Sequence, residues 1–92
     1  MLYLGHLQDY IAGLKNCVKV SANIDAESKL VLTTTEVYQY DYEHEANKQI
    51  GVIKDTDGFI SCKKKFVPAK EKKGEIVSDE YWLLTVTIRH DF

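Results

Sequence analysis

The sequence predicts an α+β domain: an N-terminal helix packed on an antiparallel β-sheet (a meander) of about five strands. Three observations predict it. Leu4, Leu7, Ile11 and Leu14 recur at spacings of three, four and three, one stripe of a 3.6-residue helix. From Cys17 onward the chain is rich in Val, Thr and Tyr, the composition of a pleated surface, with turn residues between the runs. The connections read as short, which makes neighbours in sequence pair, and no second helix is evident for parallel crossovers. A small β-barrel with one helix is the alternative, because the long strands could coil and close.

The opening helix weakens at Gly5 and Gly13 and stops at Lys15-Asn16, where a basic last turn and an Asn tolerant of the left-handed region suit a helix end. About a dozen helical residues do not hold alone in water, so the sheet must supply a docking surface. Cys17 to Ser21 alternates as a strand, and Asn23 to Ser28 is a polar turn. Lys29 to about Glu43 is a long strand, and Ile50 to Ile53 a short apolar one. Lys54-Asp55-Thr56-Asp57-Gly58 then reads as a hairpin loop leading into Phe59 to Val67, which Pro68 ends. After a charged loop from Ala69 to Glu75, the final strand runs from Ile76 to about His90. Trp82, Leu84, Val86 and Ile88 share one of its faces. Tyr81 and Leu83 make the other face apolar as well, so some cover is expected there, from barrel closure, a loop or another chain.

Ninety-two residues with 45% hydrophobic and 28% charged content make one small domain with one thin core, residues 1–92. A cofactor-sized cavity is not expected, and no cofactor is implied. No apolar run is long enough for a membrane helix. Met1 to His6 carries neither a basic leader nor a small-residue cleavage site, so no secretory signal is expected. Cys17 and Cys62 fall well short of a disulfide scaffold and suit free thiols in the cytoplasm.

Chemical motifs are sparse. Asp55, Asp57 and Gly58 match part of a calcium loop, but its twelfth position, which needs a glutamate, is Lys64. Cys17, Cys62, His6, His44 and His90 lack the close spacing that pre-forms half a zinc site. There is no nucleophile elbow or phosphate-cradling glycine loop. Arg89, His90 and Asp91 alternate faces and cannot form a triad by proximity. No enzyme is expected; hydrolysis through His44 or His90 would show a bell-shaped pH profile.

Two charge blocks remain. Asp25 to Glu45 holds six acids against Lys29, a local charge of -5. Within it Tyr38, Tyr40, Asp41, Tyr42 and Glu43 form the expected protein-binding strip. Tyrosine gives contact area at low entropy cost, and the carboxylates would steer a partner. The tyrosines can equally be a core layer with their hydroxyls at the rim. From Lys54 to Lys73, seven lysines face three acids, a local charge of +4. Lys63, Lys64, Lys65, Lys70, Lys72 and Lys73 are the alternative site, for nucleic acid or a phosphate ligand, with Phe59 or Phe66 as a stacking platform. Lysines also protect sheet edges from aggregation. The expected function is a non-catalytic interaction protein, a structural subunit or an inhibitor, binding a protein partner or its own copies.

Overall fold

The computed structural model describes residues 1–91. Its elements are β1 (Leu2–Tyr3), a 3-10 turn (Leu4–His6), α1 (Leu7–Ala12), β2 (Cys17–Ile24), β3 (Leu30–Tyr40) and α2 (Glu43–Lys54). They continue with β4 (Phe59–Val67), β5 (Lys70–Lys72), β6 (Glu75–Ser78) and β7 (Tyr81–Arg89). The fold is α+β, with helices on a five-stranded antiparallel sheet that stays open. β2 and β4 each pair on one side only, so the sheet does not close into a barrel.

Two turns fix the hairpins locally. In the β2–β3 turn, Asp25 accepts from the Glu27 amide at 3.1 Å and from the Ser28 hydroxyl at 2.9 Å. These bonds hold the Asp25 carboxyl below its usual range. β5 and β6 are joined by Lys73 and Gly74, at φ 55° and 80°. Two successive positive φ values make the two-residue turn whose twist matches a hairpin, and Gly74 supplies one without strain.

The strand order departs from a meander. β3 pairs with β2 on one edge and β7 on the other, and β4 lies beyond β7. Leu2 and Ile24 both pair with Val31, so β1 occupies the β7-side edge of β3 where β7 has ended. β3 and β4 therefore run parallel on either side of β7, and α2 is their crossover. The expected strand over Ile50 to Ile53 is in fact the last turn and a half of α2, and Lys54 to Gly58 closes that helix rather than a hairpin. Ala46, Ile50 and Ile53, spaced four and three, turn one helix face onto the sheet. Glu43 and Glu45 in the first turn and Lys54 in the last complement the helix dipole.

The opening helix is shorter than its apolar stripe suggests: Leu4 falls in the 3-10 turn and is 42% exposed. The last strand is shorter too, because Ile76 and Val77 belong to the β5–β6 arm.

The core lies between α2 and one face of the sheet. Tyr40, Ala46, Leu84, Val86 and Ile88 are buried together, with Tyr38, Ile50, Ile53, Cys62 and Trp82 packed around them. α1 is held over the same face by Tyr10, whose ring meets His90 edge-on at 5.1 Å. Among the described residues no helix packs on the opposite face, and no helix is long and apolar enough to cross a membrane. The molecule is 53 Å long, 26 Å wide and 18 Å thick.

Candidate functional site

The tyrosine strip divides where β3 passes into α2. Tyr40 is 8% exposed and part of the core. Tyr38 is half-buried, and its hydroxyl donates to Glu36. Tyr42 instead precedes α2, is 62% exposed, and stacks on His44 at a centroid distance of 5.6 Å. Asp41 and Glu43 are exposed beside it. The strip is thus a packing pair, Tyr38 and Tyr40, followed by an accessible trio, Asp41, Tyr42 and Glu43.

Asp41 and Tyr42 stand at the root of the arm, while Glu43 is turned to Lys64 of β4. Asp41, Tyr42, Ala69, Ile76, Asp79 and Glu80 line an open cleft of about 440 Å³. Its walls combine carboxylates with an aromatic ring and an aliphatic side chain. On the arm, Ile76 and Val77 are 63% and 65% exposed. β5 and β6 pair chiefly with each other and lean little on the rest of the chain.

The lysine block does not form one patch. Lys64 lies on the helix-covered face, where it donates to Glu43 Oε1 at 3.0 Å and Asn47 Oδ1 at 2.7 Å. Its Nζ also sits 5.2 Å from the Trp82 ring centroid. Lys63 and Lys65 pair with Thr85 and Leu83 and take the opposite face. Lys70 and Lys72 are on the arm and Lys73 at its tip. Phe66 packs on Trp82 at 4.9 Å, and Phe59 is half-buried opposite Ile88, so neither sits beside Lys63 and Lys65.

A cluster that sequence reasoning missed surrounds Glu36. This residue is fully buried in β3. Its Oε2 accepts from the Tyr10 hydroxyl at 2.5 Å and the Thr34 hydroxyl at 2.6 Å, and its Oε1 accepts from Tyr38. Burial, reinforced by the Glu36 carboxylate, pushes both tyrosines far above the usual phenol range. Thr34 Oγ1 also lies 2.7 Å from His90 Nε2. A hydroxyl has one proton, and that of Thr34 is directed at Glu36, so His90 donates to Thr34 from Nε2. Thr34 is therefore not activated as a nucleophile. Burial lowers the His90 pKa against the opposing pull of Glu36. The signal for this cluster was a carboxylate at the period-two position between Thr34 and Tyr38.

Comparison with protein-family models, curated proteins and solved structures finds no match. The residues alone must carry the functional argument. Cys17 and Cys62 are free thiols on the two opposite edge strands, three strand spacings (about 14 Å) apart across the sheet and two residues out of register, so they share no site. Burial raises the Cys62 thiol, which packs against the core. The arm end gathers exposed apolar side chains beside carboxylates, and Glu36 clamps Tyr10, Thr34 and Tyr38 inside the fold.

Proposed function

We propose that this chain is a non-catalytic interaction subunit that docks on a protein surface through the arm end of its sheet. Asp41, Tyr42 and Glu43, together with the β5–β6 hairpin, form the contact. The arm is the observation that carries this reading. A two-stranded hairpin is marginal by itself in water, yet this one exposes Ile76 and Val77 rather than burying them. Ile76, which shares the cleft with the exposed Tyr42 ring, and the exposed Val77 next to it supply the apolar surface that interfaces use, and Asp41, Asp79 and Glu80 supply an anionic rim. Tyr38 and Tyr40 support this contact from within, by fixing the end of β3 from which α2 and Tyr42 start.

The reading is tested by replacing Ile76 and Val77 together with Asp. Sedimentation over a range of concentrations detects a complex with a second copy, and capture from the native host a complex with another protein. The double variant should abolish whichever complex forms, and Thr85→Ala should leave it intact. A complex indifferent to the arm substitutions overturns the reading. So does a monomer whose arm amides resist hydrogen exchange as strongly as those of β7.

A further inference from the structure

The face of the sheet opposite the helices has its own chemistry. Directly paired residues share a face, and the register carries one cross-strand row through Lys19, Val37, Thr85 and Lys63. The adjoining row runs through Ser21, Thr35, Thr87 and Ser61, four hydroxyls from edge to edge. Lys65 follows Lys63 two residues along β4, about 7 Å away on the same face. Lys19 stands on the far edge, about 14 Å across. None of these three lysines joins an ion pair among the described residues. Among the described residues no acid pairs within these two rows; Asp91, bonded to Arg89, and Asp41, beside Gln39, stand at opposite ends of β3's open face. A chain of net charge -2 has thus kept its carboxylates off the middle of one sheet surface.

We infer that this face binds the phosphodiester backbone of a single-stranded nucleic acid. Cations on both edges with hydroxyl donors between them match a ligand whose anions repeat along a line. Lysine, serine and threonine are among the groups that contact phosphate oxygens. A second copy packed face to face would oppose lysine to lysine. Among the described residues no aromatic side chain pairs within these two rows, and Tyr81 stands at the end of the face, opposite Val67, so base stacking has little scope. Binding is electrostatic and indifferent to base sequence. The three lysines that serve it are not the arm lysines.

The experiment follows fluorescence anisotropy of a labelled oligothymidylate titrated with the intact chain at several salt concentrations. The expected Kd is about 10⁻⁴ to 10⁻⁶ M, and log affinity falls against log salt with a slope of about -2, as three contacts to a single strand require. Replacing Lys19, Lys63 and Lys65 with Gln should weaken binding at least about tenfold at low salt and bring the slope towards zero. Replacing Lys70, Lys72 and Lys73 with Gln should change affinity less than about twofold. Circular dichroism confirms that both variants are folded.

Four results overturn the inference. They are absence of binding at low salt, loss of binding with the arm lysines instead, and equal binding of a polyglutamate of matched charge. The fourth is a low-salt dimer that disappears in the Lys19, Lys63 and Lys65 variant, which would assign the face to the acidic end of another copy.

Discussion

The two faces of the sheet are built from alternate residues of the same strands, yet they are chemically unlike. In β7, Leu84, Val86 and Ile88 are buried under α2, while Thr85 and Thr87 between them stay half-exposed. In β3, Thr34 and Glu36 are buried while Thr35 and Val37 are half-exposed. Backbone pairing is the same for both sets, so the ladder alone does not distinguish the faces. What distinguishes them is the cover. Side chains under the helices must be apolar or hydrogen-bonded, because a buried polar group without a partner is costly. Those on the open face need only suit a pleated surface, which Thr does. Stability is therefore concentrated on one face, and the other is free to carry recognition.

The largest effect expected from this contrast comes from neighbouring residues. Leu84→Ala should destabilise the fold by about 2–5 kcal/mol, the range for a fully buried leucine leaving a cavity. Thr85→Ala should stay within about 0.5 kcal/mol of the parent. Urea unfolding of both variants checks this, and similar losses at the two positions would mean that the open face is packed after all.

Much of this division was legible beforehand. The alternation of Trp82, Leu84, Val86 and Ile88 identified the core face of β7, and the composition after Cys17 identified a sheet. α2 was hidden because it presents only Ala46, Ile50 and Ile53 inward, while Glu43 to Gln49 is otherwise polar and Gly51 interrupts it. Read locally, Ile50 to Ile53 looks like a strand; the four-and-three spacing back to Ala46 is what betrays a helix. Missing that crossover also hid the place of β7 between β3 and β4, since strand order depends on a connection rather than on composition. At the site, three neighbouring tyrosines suggested one strip because period two was assumed to continue to Tyr42. The chain leaves β3 after Tyr40. Tyr10 and His90 join Glu36 from the two ends of the sequence, a proximity that no local pattern encodes.

A second effect tests Glu36, the charged residue buried on the covered face among the described residues. Glu36→Ala leaves the Tyr10, Tyr38 and Thr34 hydroxyls without their acceptor and should cost about 3 kcal/mol. Glu36→Leu combined with Tyr10→Phe and Tyr38→Phe removes acceptor and two donors together. That combination should cost less than the sum of its parts. The same cluster gives an alkaline signature. The phenols of Tyr10 and Tyr38 are raised in the folded state, so their contribution is present below about pH 10. It is lost as pH rises further, where the unfolded chain releases protons that the folded chain keeps. Tyr38→Phe should flatten that decline, read from unfolding midpoints and phenolate absorbance. An unchanged alkaline slope would separate Tyr38 from Glu36.

The smallest effect comes from His90, where the helix-covered cluster reaches the end of the sheet. Its surroundings are Thr34, the Tyr10 ring, Glu36 and the N-terminal amine. Burial lowers its pKa, the N-terminal charge adds to that, and Glu36 only partly offsets it. The folded protein therefore keeps His90 neutral to a lower pH than the unfolded chain does. Its contribution to stability is complete above about pH 6.5, the ordinary imidazole value, and declines as pH falls below it. Asp25 and Asp91, whose carboxyls are lowered by hydrogen bonds, act in a separate window below about pH 4. Unfolding midpoints measured from about pH 7.5 to 5 should thus fall gently for the parent chain and stay flatter for His90→Gln, whose amide can still donate to Thr34. Because that variant keeps the hydrogen bond and removes only the titration, a slope identical to the parent's would show that His90 protonates as readily in the fold as outside it.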